Sequence, residues 1–157
     1  MSLRFSAGVL TDTLDRTLGQ PAGYEPAPEG PAWGPPAASD KTWRIPLLND
    51  AGSEVGVVVA DLHTVVLLGG SLIMLPESSM REQVAEGSPS PPVLEAFAEV
   101  VNVLRGVVNN TNRNPHTVPG PLATGGAGPG WSDDPKLRLD LVADSPIGPA
   151  RLSFRSC

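Results

Sequence analysis

At 157 residues, with a formal net charge of −6, the chain is sized for one domain with a real hydrophobic core, and its charge excludes a nucleic-acid backbone as partner. The only cysteine, Cys157, excludes an intrachain disulfide and fits a cytoplasmic protein. Met1 to Ser6 carry no secretory pattern, and the apolar region Val55 to Leu75 is broken by Asp61, His63 and Gly69-Gly70, so no membrane span is expected.

Leu10, Leu14 and Leu18, widened by Phe5 and Val9, predict a first helix over Leu3 to Leu18, closed by Gly19. Residues 20–39 follow with Pro21, Pro26, Pro28, Pro31, Pro35 and Pro36 among three glycines. This is a loop or a tethered extended segment, which Tyr24 and Trp33 are placed to pin. Trp43 to Leu48 and Val55 to Ala60, joined through Asn49-Asp50-Ala51-Gly52, predict a hairpin. Its second arm has no alternation and reads as a strand buried on both faces.

Asp61 is placed to cap a helix from Leu62 to Met74, ended by Pro76, in which Gly69-Gly70 would allow a close helix crossing. Glu77 to Glu86 reads as a short polar helix or turn. Ser88 to Pro92 is a loop, with Ser90 as cap and Pro91 in the first turn of the next helix.

That helix, Val93 to Val108, is the most informative stretch. Val93, Leu94, Phe97, Val100, Val101, Leu104 and Val108 form one apolar face at 100° per residue. Glu95, Glu99, Asn102 and Gly106 run along the opposite face. A glycine in mid-helix costs about 1 kcal/mol against alanine, and here it leaves the polar stripe bare for a close approach. On pattern alone, a solvated helix face accounts for the same residues.

Asn109 to Asn114 and Pro115 end the helix, and Pro119 to Gly130 form a second loop. Lys136 to Val142 and Pro149 to Arg155 predict a terminal hairpin, with Leu137, Leu139 and Leu141 facing one way and Arg138 and Asp140 the other. The order is roughly α-ββ-α-α-ββ. It predicts an α+β fold with a mixed sheet packed by two long helices, a single domain over residues 1–157.

Familiar chemistry is missing from the pattern. His63 and His116 have no partner at metal spacing, and His63 reads as a helix-start residue; no metal is expected on the chain. Neither a dinucleotide fingerprint, a phosphate-binding Walker loop nor a nucleophile elbow occurs. Asp133-Asp134 reads as a solvated pair, and the sequon at Asn109 carries no meaning without export.

The run Glu99-x-x-Asn102-Val-Leu-x-Gly106, followed by an Asn-rich helix end, resembles the signature helix of the CheC/CheX/FliY chemotaxis phosphatases. A single E-x-x-N helix, preceded by a hairpin and a helix and followed by strands, is most similar to the CheX-like layout. The likeness runs over about residues 41–156. It implies a CheC/CheX-like fold and removal of phosphate from the aspartyl phosphate of a CheY-like receiver in chemotaxis or two-component signalling. It also implies a homodimer, no cofactor on this chain, and magnesium on the receiver.

By this resemblance Glu99 and Asn102 are the catalytic pair. Asn102 would place a water in line by accepting one of its hydrogens, as a glutamine does in GTPases. Glu99 would pair with the receiver's lysine. Glu95 and Gly106 would contact the partner, the glycine by letting its surface come close. Two positions depart from the family pattern. Glu95 stands where the family tends to carry Asp or Ser, and its downstream proline falls here at Gly125, with Pro119, Pro121 and Pro129 nearby. The alternative function is a non-catalytic CheX-like module that binds a response regulator or a flagellar-switch protein.

Overall fold

The computed structural model describes residues 2–27, 41–124 and 137–157. Within them, helices α1 (Ala7–Leu18), α2 (Leu62–Leu72), α3 (Glu77–Glu86) and α4 (Pro91–Asn110) pack with strands β1 (Glu25–Pro26), β2 (Thr42–Leu48), β3 (Glu54–Asp61), β4 (Val118–Pro119), β5 (Ala123–Thr124), β6 (Arg138–Ser145) and β7 (Gly148–Ser156). The sheet runs β1-β6-β7-β3-β2-β4, with β5 also on β2. The fold is α+β.

Both hairpins form as their sequences predict. In the first, Asn49 Oδ1 accepts from the Ala51 and Ser53 amides at 3.0 and 2.9 Å, and Gly52 takes φ 81°. In the second, Ser145 pairs with Gly148, whose φ of 121° is open to glycine and strained for other residues. Residues Gly56 to Ala60 of β3 are buried on both faces of the sheet, as the unalternating run requires.

Several expectations need correction. The sheet is antiparallel at every described pairing, not mixed. Its two main strand pairs are hairpins, and three helices rather than two separate them, returning the chain so that β7 runs against β3. Only α4, at 20 residues, is long; α1 has 12 and α2 has 11.

The first helix begins at Ala7 instead of Leu3. Leu3 lies ahead of it, where its amide donates to Ser156 Oγ at 2.8 Å and its side chain enters the core. Leu62 to Met74 stops at Leu72, because Met74 turns left-handed at φ 59°.

The proline-rich stretch supplies a strand. Glu25 and Pro26 pair with Val142 and Leu141 at the edge of the sheet, where a residue without an N–H is tolerated. Tyr24 pins it as expected, its hydroxyl 2.7 Å from Thr64 Oγ1, and burial pushes its phenol pKa up. Trp33, Asp133, Asp134 and Gly125 lie outside the described residues. The loop after Pro119 likewise contributes β5, beside Trp43 and Arg44.

One face of the sheet carries Ile45, Val58, Ala60, Leu141, Leu152 and Phe154 into the core. Helix α2 packs there on β2, β3 and β7, and meets α1, α3 and α4 as well. Asp61 caps it as predicted, accepting from the Thr64 amide at 2.9 Å. Arg138 and Asp140 face away from that core, yet their side chains are only 4% and 12% exposed. Asp140 there accepts from Arg138 and from Ser153 Oγ, the latter at 2.6 Å, which replaces the solvent their polarity suggested.

Candidate functional site

Helix α4 owes its orientation to its composition. Val93, Phe97, Val100, Val101, Leu104 and Val108 are all buried, each contributing about 1.5–3 kcal/mol on full burial. Six such side chains on one arc force the opposite arc outward.

Its start is braced differently from the sequence expectation. Ser90 occupies the cap position, but its hydroxyl makes no capping bond to the helix. Gln83 of α3 takes it instead: Oε1 accepts from the Ser90 amide at 2.9 Å and Nε2 donates to Ser90 Oγ at 3.2 Å. At the far end Asn114 Nδ2 donates to the Val108 carbonyl at 2.9 Å, satisfying a terminal acceptor.

Glu95 and Glu99 stand exposed on this helix, while Asn102 and Gly106 are half-buried. All four lie along one side, so the structure brings together the predicted site residues. A Cβ added at Gly106 would meet nothing within 4 Å, so no neighbour within the described chain needs the glycine. Val103, 37% exposed, adds an apolar side chain beside Asn102.

Asn102 is not as free as its position suggests. Its Oδ1 accepts from Arg105 Nε at 3.0 Å and from Arg105 Nη2 at 2.9 Å. The third arm of the same guanidinium, Nη1, donates to the Thr117 carbonyl at 2.6 Å. Asn109 holds Thr117 in turn, its Oδ1 accepting from the Thr117 amide and hydroxyl at 3.0 and 2.7 Å. The expected acceptor of a water hydrogen is therefore already engaged.

Sequence reasoning missed Arg105, Asn109 and Thr117. Arg105 was within reach of it, because residues three apart are neighbours on a helix surface. Thr117 was not. The chain returns to the helix only after Asn112 and Arg113, both at φ 55°; Asn112 is a residue type that enters this left-handed region readily, but Arg113 is not, and neither specifies that Thr117 lands on the helix.

The histidines stand elsewhere. A Cβ at Gly148 would lie 2.8 Å from His63 Nε2, so His63 starts α2 with its ring against the second hairpin. His116 Nδ1 meets Asp50 Oδ1 at 2.8 Å on the surface. Among the described residues no three His, Cys, Asp or Glu side chains form a metal-holding group, and no helix is long and apolar enough to cross a membrane.

No family model matches the chain, and no curated protein matches it in sequence. Solved structures do match. A CheC-like superfamily protein from a Shewanella species superposes with a TM-score of 0.54 at 12% identity, over 94% of this chain and 92% of that one. The chemotaxis protein CheX from Vibrio vulnificus gives 0.54 at 11% identity, over 94% and 93%. The CheX–CheY–BeF3–Mg complex from Borrelia burgdorferi gives 0.51 at 14% identity, over 94% and 92%. At these identities the likeness is one of fold: the chain has the CheC/CheX fold.

Proposed function

We propose that this chain removes phosphate from the aspartyl phosphate of a CheY-like receiver, using the outer face of α4 as its docking edge. The observation that carries the reading is the clustering of Glu95, Glu99, Asn102 and Gly106 on one accessible side of a helix whose other side is core. A CheX structure of the same fold that holds CheY supports a receiver as the visitor.

In this reading the receiver brings its own magnesium and lysine. Glu99 pairs with that lysine and sets the register. Asn102 positions a water on the side of phosphorus opposite the carboxylate oxygen. The new oxygen–phosphorus bond forms as the bond to the aspartyl oxygen breaks. The carboxylate leaves as its anion, and both water hydrogens leave on inorganic phosphate. Glu95 and Gly106 line the contact, and the setting is the cytoplasm, where such receivers work. A homodimer is the accompanying assembly, checked by light scattering on the purified chain.

The engagement of Asn102 by Arg105 favours a second reading, in which the same edge binds a response regulator or flagellar-switch protein without catalysis. One experiment separates the two. Receivers from the same cell are charged with acetyl phosphate, and their loss of phosphate is followed with and without the protein. Acceleration by the wild type, lost by about 100-fold in Asn102→Ala with receiver binding retained, supports the phosphatase. Binding without acceleration supports the docking module. Neither binding nor acceleration leaves α4 with a solvated face and ends both readings.

A further inference from the structure

We propose that Arg105 is a positioning residue for Asn102: it locks the carboxamide with its oxygen turned inward, so that Asn102 meets the water as a hydrogen-bond donor. The inference rests on the phosphatase reading and specifies the direction of its central hydrogen bond.

A guanidinium has five N–H donors and no acceptor, so only the oxygen end of a carboxamide can face it. The two bonds from Nε and Nη2, at 3.0 and 2.9 Å, occupy both lone pairs of Asn102 Oδ1. The guanidinium is itself anchored, since Nη1 donates to the Thr117 carbonyl at 2.6 Å. Thr117 is fully buried, and its carbonyl also accepts from Asn109 Nδ2 at 3.0 Å. Arg105 is thus held from the far side by a fixed backbone group.

What remains outward is the amide nitrogen. Asn102 Nδ2 has no partner among the described residues, and it is absent from their buried unpartnered polar atoms, so solvent reaches it. A water arriving there accepts from Nδ2, and a lone pair on its oxygen stays free for phosphorus. Its two hydrogens are left for acceptors on the receiver. The alternative, in which Asn102 accepts a water hydrogen, requires breaking two charge-assisted bonds before the partner supplies any replacement.

The test uses the full chain and a receiver charged with acetyl phosphate. Arg105→Ala is expected to lower the maximal rate roughly 10- to 100-fold, with KM for the receiver within about twofold of wild type. Millimolar guanidinium should restore part of that rate, which a general loss of packing would not allow. Arg105→Lys keeps the charge without the fork and should remain below wild type; it reads the same effect if Arg105→Ala does not fold. Asn102→Asp keeps an oxygen for Arg105 and removes the outward hydrogens, so it should lose as much rate as Asn102→Ala.

Wild-type acceleration with an unchanged or faster Arg105→Ala overturns this inference and leaves the phosphatase reading standing. A slower Arg105→Ala with raised KM and no response to guanidinium also overturns it, as does an active Asn102→Asp. No acceleration by the wild type removes the reading and the inference together.

Discussion

Helices α2 and α4 lie against each other, and each carries glycine in its interior for opposite reasons. In α2 every residue from Thr64 to Gly70 is buried. A Cβ on Gly69 would fall 2.2 Å from the Val93 carbonyl oxygen of α4, so the glycine is what lets the two backbones approach. Gly106 of α4 touches nothing that a methyl group would disturb. The same residue type therefore marks a packing contact in one helix and an open surface in the other. Composition cannot separate these roles, whereas the atoms facing each position do.

Substitutions in these two helices sharpen the contrast. The largest effect belongs to the buried face of α4, where Phe97→Ala is expected to destabilise the fold by about 3–5 kcal/mol. Urea titration measures it, and a loss below about 1 kcal/mol would mean the core lies elsewhere. Next comes Gly69→Ala. Because the obstructing atom is backbone, overpacking should cost about 1–3 kcal/mol and lower the thermal midpoint.

Gly106→Ala should move the other way and stabilise by about 0.5–1 kcal/mol, since it removes a glycine from a helix interior without a clash. If it destabilised, the two glycines would share one role. On the proposed docking, the bulkier Gly106→Gln should weaken receiver binding, which calorimetry against a receiver reads directly.

The smallest effect concerns the start of α2. Asp61 accepts from the Thr64 and Arg151 amides at 2.9 and 3.1 Å, while burial, the dominant influence, raises its pKa. An acid whose folded pKa is raised holds its proton more tightly in the native state. Its stabilising contribution is full below the unfolded value of 3.8 and is lost as pH rises through the higher folded value. Asp61→Asn retains an oxygen to cap the helix and removes this titration. Wild type should therefore lose stability relative to Asp61→Asn across that window, and identical pH profiles would show that Asp61 does not titrate there.

Periodicity determined much of this protein. The apolar face of α4, the unalternating β3 and both hairpins follow from side chains whose spacing matches the geometry of a helix, a buried strand or a tight turn. The outward stripe with Glu95, Glu99, Asn102 and Gly106 follows too, because fixing one face of a helix fixes the other. These are local or single-element properties, and one chain carries them in full.

Other features were settled only by distant partners. Leu3 is anchored ahead of the first helix, its amide on Ser156, and Pro26 became a strand residue because β6 presented an edge. Alternation places Arg138 and Asp140 on the face opposite the leucines, but only the fold shows them paired and nearly buried there. The state of Asn102 belongs to this second class. Its oxygen points at Arg105, and Arg105 is steadied by Thr117 across a left-handed reversal of the chain. Residue order shows which side of a helix is polar; the direction of each hydrogen bond there depends on donors and acceptors that only folding brings within reach.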